Sequence, residues 1–142
     1  MNPEPAHNPP WPEYCCAILR DHLGRFLLEL RPDTAPNAPG LLTCYGGARE
    51  PGEDPRRCIE RELREELGLA AIHLSLALRL VSGPREIAWF YRGTLPADTR
   101  LRTEPGRSPR LFTPDELRAA PLSQWHRAAI AAASAGVPVV NV

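Results

Sequence analysis

Lysine is absent from this chain, and all 17 of its basic residues are arginine. That removes the Walker A phosphate loop, Schiff-base chemistry and Ser-Lys dyads, each of which needs the missing amine. Net charge is absent too, with 17 basic against 17 acidic residues. A balanced chain has a weak overall field, so a broad surface for DNA, RNA or anionic lipid is not expected. Arginine-only usage reads first as codon composition and second as a supply of bidentate phosphate contacts. The four cysteines, Cys15, Cys16, Cys44 and Cys58, include no CxxC spacing, which argues against zinc and against a disulfide framework. The four histidines, His7, His22, His73 and His126, form no HExxH pair, and no serine sits in GxSxG. Long apolar runs are lacking as well. The longest uncharged C-terminal stretch, Ala128 to Val142, is short for a membrane span and is broken by Pro138. The first residues show no basic stretch followed by an apolar one, so no membrane association is expected and a reducing cytoplasm is the expected compartment.

What is present fits one domain of 142 residues. Five of the 17 prolines fall within residues 1–12, which read as an extended arm outside the core, because proline lacks a ladder donor and fixes φ. Residues 13–142 then form the domain. Tyr14 to Arg20 and Arg25 to Arg31 read as a hairpin turned at Gly24, and Leu41 to Tyr45 as a third strand ending at Gly46-Gly47. From Asp54 the period changes. Asp54 can cap, Pro55 suits the first helical position, Ile59, Leu63 and Leu67 recur every four residues, and Gly68 stops the helix. Ile72 to Ser82 and Arg85 to Leu95 are strand-like runs joined at Gly83-Pro84. Arg110 to Thr113 and a capped turn through Leu117 follow, and a helix from about Ser123 to Ala135 nearly finishes the chain, with Trp125 expected to anchor it to the sheet. Strands on either side of a helix, with a second helix near the end, predict an α/β (α+β) sandwich with a mixed sheet.

On the central helix Glu62, Glu65 and Glu66 are spaced i, i+3 and i+4, so three carboxylates share a flank beside the apolar stripe. Like charges so placed disfavour a bare helix by roughly 0.2 to 0.5 kcal/mol per pair, which calls for a compensating cation. Arg61, Arg64 and Arg57 offer one answer, a solvated face stitched by ion pairs. A hard divalent ion, Mg²⁺ or Mn²⁺, offers the other, since oxygen-only donors suit it and it completes its shell with substrate phosphates.

Gly47 to Leu69, GAREPGEDPRRCIERELREELGL, resembles the box of the Nudix family, G-x5-E-x7-R-E-U-x-E-E-x-G-U with U apolar. Gly47, Glu53, Arg61, Glu62, Leu63, Glu65, Glu66, Gly68 and Leu69 fill its nine defined positions. The resemblance implies a Nudix-like α/β/α sandwich and divalent-metal-dependent hydrolysis of a diphosphate linkage in a nucleoside diphosphate derivative, by water attack at phosphorus. Carried over by position, Glu62, Glu65 and Glu66 are metal ligands with the Gly46 carbonyl, and Glu53 pairs with Arg61 to aim them. Gly46 and Gly47 are expected to turn the backbone tightly and let it approach metal and phosphate. A further glutamate outside the box is sought in Glu104 first and Glu86 second, with Glu116 serving a helix start. Tyr45 stands where many members have proline, and either stacks on a base or packs. Of Trp89, Phe90 and Tyr91, one strand face holds Trp89 and Tyr91, so one set lines a base pocket and the other fills the core; Tyr45, Trp89 and Tyr91 are the substrate-binding candidates. The expected partner is a small nucleotide, with assembly left open, a homodimer included. The alternatives are a non-catalytic nucleotide sensor of the same family and an interaction domain whose glutamate-rich helix is merely soluble.

Overall fold

The computed structural model describes residues 10–101 and 108–142. The order is β1 Tyr14–Arg20, β2 Phe26–Leu30, β3 Leu42–Thr43, β4 Tyr45–Ala48, α1 Pro55–Leu67, β5 Leu74–Ser82, β6 Arg85–Thr94, β7 Ser108–Phe112, α2 Pro114–Leu117, α3 Gln124–Ala135 and β8 Val139–Asn141. One mixed sheet runs β3-β2-β1-β6-β5-β8, with β4 on β1 and β7 on β2. β1 lies parallel to β6 and β5 parallel to β8, whereas the hairpin partners are antiparallel.

Strand alternation sorts the core into two layers. Along β1, Cys15, Ala17 and Leu19 face α1, where Cys58, Ile59, Leu63 and Leu67 meet them with no exposed surface. Cys16 and Ile18 face the other way, toward Ala129, Ile130 and Ala132 of α3. Each fully buried leucine or isoleucine in these layers contributes about 1.5 to 3 kcal/mol of transfer free energy. All four thiols are buried and free, two in each layer: Cys15 and Cys58 under α1, Cys16 and Cys44 under α3. No helix among the described residues is long and apolar enough to cross a membrane.

The structure differs from the sequence expectation at four places. Gly46 and Gly47 do not end a strand. They lie inside β4, antiparallel to β1, with Gly46 opposite Cys16 and Gly47 opposite Cys15. The chain does not finish with α3: after Gly136 closes that helix in a left-handed conformation, β8 adds in parallel to β5, Val139 opposite Arg79. Residues 1–9 of the arm lie outside the described residues, but its end is not outside the core. Trp11 packs against the α1 layer beneath the Arg49 guanidinium, 5.3 Å from the ring centre, and Arg49 Nε donates to Pro12 O at 2.9 Å. Trp125 does not anchor α3. It stays 45% exposed, because the helix seats itself through the smaller Ala129, Ile130 and Ala132.

Candidate active site

The site starts from the cap of α1. Asp54 Oδ1 accepts from Arg56 N at 2.8 Å and more weakly from Arg57 N at 3.4 Å, with Pro55 at the first helical position. Gly68, at φ 68°, closes the other end and returns its N–H to Arg64 O at 3.0 Å. With both ends pinned and Ile59, Leu63 and Leu67 buried, the rotation of α1 is fixed, and so is the direction of its carboxylates.

Two of them reach β4. Glu66 is buried, and its Oε1 accepts from Gly46 N at 3.1 Å. Glu62 lies directly over Gly47, where a Cβ would stand 2.6 Å from Oε1, 2.7 Å from Cδ and 2.9 Å from Oε2. Gly47 is therefore the seat of the Glu62 carboxylate. Gly46 meets a different constraint: at φ 147°, a Cβ there would stand 2.1 Å from the backbone oxygen of Cys15. The paired glycines do allow close approach, but to a neighbouring strand and a helix carboxylate rather than around a tight turn. Glu65 is more open, with 56% of its side chain exposed.

Arg61 gathers the cluster. Its Nε and Nη2 form a two-pronged contact with Glu53, at 2.7 and 3.0 Å, and Nη1 reaches Glu62 at 3.0 Å and Glu65 at 3.2 Å. Nη2 also donates to Ala48 O of β4 at 3.3 Å, and Glu50 Oε1 stands 3.7 Å from Nε. The Arg61 hydrogen bonds hold the Glu53 carboxyl down to about 2, against the opposing effect of burial. The same contact raises the Arg61 guanidinium further above its ordinary value. The expected Glu53–Arg61 pairing is thus present, and it links the loop, α1 and β4. Glu53 also accepts from Glu50 N at 3.0 Å, tying the loop before the helix.

β4 and Glu62 line a cleft of about 650 Å³ on the α3 side of the sheet. That volume suits a small molecule of nucleotide size. Its other walls include Arg31, Phe90, Trp125 and His126. Arg31 is braced by Glu29, Nη1 to Oε1 at 3.2 Å, and by Asn37 O at 2.7 Å from Nε. His126 Nδ1 accepts from Cys44 N at 3.0 Å, which assigns the ring proton to Nε2, and Phe90 packs edge-on at 5.5 Å. Burial, helped by Arg31, pushes the imidazole down to about 4.

Three substrate-binding candidates do not reach this cleft. Tyr45, Trp89 and Tyr91 are buried in the α1 layer, because alternation along β4 and β6 turns them away from α3. Arg56 covers the Tyr91 ring at 5.3 Å, and Trp89 Nε1 donates to Glu86 Oε1 at 2.8 Å. Of the three neighbouring aromatics of β6, Phe90 lines the cleft, beside Ile87 and Ala88. Glu86 is held by Trp89 and by Arg79 Nη1 at 2.8 Å, away from the carboxylate cluster's own contacts. Glu116 closes a capping box with Thr113, as a helix-start residue does. Glu104 lies outside the described residues. Trp125 and His126 were not identified as cleft residues from the sequence. The signal was their place in the first turn of α3, just past Ser123, where side chains can overhang a sheet edge.

Among the described residues no three His, Cys, Asp or Glu side chains already converge as a metal cage. The donor chemistry nevertheless fits a hard divalent ion: all three carboxylates lie on one flank, and the glycine cradle leaves Glu62 the space a Cβ would take.

A family model described as NUDIX domain matches residues 10–133. Among curated proteins, the chain is 44% identical over 55 residues to a CTP pyrophosphohydrolase of Escherichia coli strain K12, a match covering 39% of this chain and 40% of that relative's length. Among solved structures it resembles the MutT protein from Methanosarcina mazei Go1, with a TM-score of 0.71 and 20% identity over 92% of this chain and 97% of that one. It also resembles a MutT NUDIX hydrolase from Burkholderia pseudomallei, with a TM-score of 0.64 and 27% identity over 86% and 98% of the two chains.

Proposed function

The chain belongs to the NUDIX domain family, and from that premise we propose that it is a pyrophosphohydrolase that cleaves a diphosphate linkage in a nucleoside diphosphate derivative. The observation that carries the reading is the seating of Glu62 and Glu66 on Gly47 and Gly46, in a strand that lines a nucleotide-sized cleft. A nucleoside triphosphate is the first substrate class to assay, because the curated relative acts on CTP by name.

In this reading Glu62, Glu65, Glu66 and the Gly46 carbonyl would hold Mg²⁺ or Mn²⁺. The bound ion would neutralise charge on the diphosphate oxygens and lower the pKa of water. The chain's own residues do the rest. Glu53 and Arg61 act through the carboxylates by holding their direction. Water oxygen bonds to one phosphorus, the bridging P–O bond breaks, and the electron pair leaves with the departing phosphate. The water proton passes to a carboxylate, for which Glu65 is assigned as the most open of the three. Phe90 and Trp125 supply flat apolar surface for a base, and Arg31 a cation.

The test is product analysis with CTP and other nucleoside triphosphates in Mg²⁺ and in Mn²⁺. Glu66→Gln and Glu65→Gln should each lower kcat by about 10² or more with the fold unchanged, an effect of the size seen when groups stabilising a transition state are removed. Full turnover in both variants would overturn the site. Metal-dependent nucleotide binding with no release of phosphate or nucleotide products would instead assign the chain as a sensor.

A further inference from the structure

A second cavity, of about 450 Å³, lies away from the carboxylate cluster, at the ends of β1 and β6 on the α3 side of the sheet. Register explains its lining. Arg20 pairs with Thr94 and Ile18 with Arg92 across β1 and β6, Ser75 pairs with Arg92 across β5 and β6, and Arg20 pairs with Phe26 across the hairpin. Residues paired in register share a face, so two guanidiniums and two hydroxyls project into one space beside Ala133 and Ser134 of α3, and His73 joins them. The lining includes no carboxylate.

The guanidiniums are held in place. Arg20 lies 4.4 Å above the Phe26 ring centre, and its Nε and Nη2 donate to Gly24 O at 3.0 and 2.9 Å. Arg92 Nη2 reaches Ala133 O at a longer 3.4 Å. Several other arginines have carboxylate partners, Arg25 with Asp21, Arg31 with Glu29, Arg79 with Glu86 and Arg85 with Glu13, while Arg49 and Arg127 are held by backbone carbonyls. Arg20 and Arg92 likewise make polar contacts to carbonyls, and they differ in facing one cavity together. Both arginines are exposed, so water solvates them, but two like charges facing one cavity favour an anion there, and planar N–H edges with hydroxyls beside them match a tetrahedral oxyanion.

We propose that this cavity is a binding site for a phosphate oxyanion, either free phosphate or the phosphate of a nucleotide. Arg20 and Arg92 supply the charge, and Ser75, Thr94 and Ser134 supply further donors. It is a site separate from the one that would hold the diphosphate, since its lining shares no residue with the cleft above β4.

The test is a titration of the full chain, without divalent metal, with inorganic phosphate and then with cytidine 5′-monophosphate, followed by ¹H–¹⁵N NMR against chloride at matched ionic strength. Saturable shifts are expected at the Gly93, Ser75 and Ser134 amides and at the Arg20 and Arg92 Nε–H groups. Arg92→Gln and Arg20→Gln should each weaken binding about tenfold, and Ser75→Glu, which places a carboxylate in the cavity, should abolish it. Glu66→Gln should bind phosphate as the parent does, which keeps this result independent of the hydrolytic site. Tighter binding of the nucleotide identifies a nucleotide phosphate as the ligand, and equal binding identifies free phosphate. Shifts that are linear and shared with chloride, or saturable binding that survives Arg20→Gln and Arg92→Gln, would overturn the proposal.

Discussion

Replacing Gly47 with alanine isolates the seat of Glu62 from everything else the box does. The backbone at Gly47 is not among the left-handed glycines, so its conformation admits alanine. The new Cβ would stand 2.6 Å from Glu62 Oε1, and to reach an ordinary contact of 3.4 Å the carboxylate must retreat by about 0.8 Å. The far end of a flexible side chain moves cheaply, so Gly47→Ala should leave Tm within a few degrees of the parent. A displacement approaching 1 Å at a reacting geometry can cost about 10² in rate, and kcat for a nucleoside triphosphate should fall by about that factor. Gly46→Ala is the contrasting variant. Its Cβ would meet backbone, 2.1 Å from Cys15 O, so the β1–β4 pairing itself must open and the protein should lose stability before activity can be compared. Steady-state kinetics beside thermal melts separate the two. A Gly47→Ala enzyme that melts normally and keeps more than a third of parental kcat would refute the claim that this glycine positions Glu62.

Three other outcomes follow from the same geometry. Arg61→Lys should lower kcat at least tenfold with little change in KM, because an ammonium cannot reproduce the forked contact to Glu53 while also reaching Glu62 and Glu65; kinetics of the folded variant check this. Glu53, held down to about 2, contributes stability that is present above the ordinary carboxyl range and is lost as pH falls toward 2. Denaturant melts between pH 5 and 2 should therefore show a loss that Glu53→Gln lacks. His126, pushed down to about 4, is neutral when folded while an unfolded imidazole charges near 6.5, so stability should decline as pH falls from 6.5 toward 4, by roughly 3 kcal/mol at about 1.36 kcal/mol per unit. His126→Asn, whose side-chain oxygen can still accept from Cys44 N, should flatten that window in the same melts.

α1 was legible to the residue because its punctuation is local. Asp54, Pro55 and Gly68 act within one turn of the chain, and the four-residue apolar stripe needs only a face to bury. The Glu53–Arg61 pair was legible through the family box rather than through spacing, since its partners lie in a loop and a helix. β4 and β8 were missed for a different reason. A glycine pair carries no pattern of its own, and only the neighbouring β1 makes Gly46-Gly47 a strand. Val139–Asn141 is a three-residue segment that becomes a strand because β5 leaves an edge beside it. Alternation correctly separated Trp89 and Tyr91 from Phe90 but could not say which face holds a helix and which an opening. Trp125 shows the same limit: as a large apolar side chain in the last helix it was expected to anchor α3 to the sheet, yet at that end of the helix it borders a cleft.

The placement of the four thiols makes the molecule its own recorder of opening. Cys15 and Cys58, joined by a hydrogen bond that with burial raises the Cys15 thiol, are sealed by α1. Cys16 and Cys44 lie in the opposite layer, where both also border the cleft, and burial pushes Cys44 up to about 12. An alkylating reagent small enough to enter the cleft can approach the second pair, whereas the first stays shut away while α1 is docked. Mass tags on Cys15 and Cys58 would therefore date the detachment of α1, whereas tags on Cys16 and Cys44 alone would report entry through the cleft.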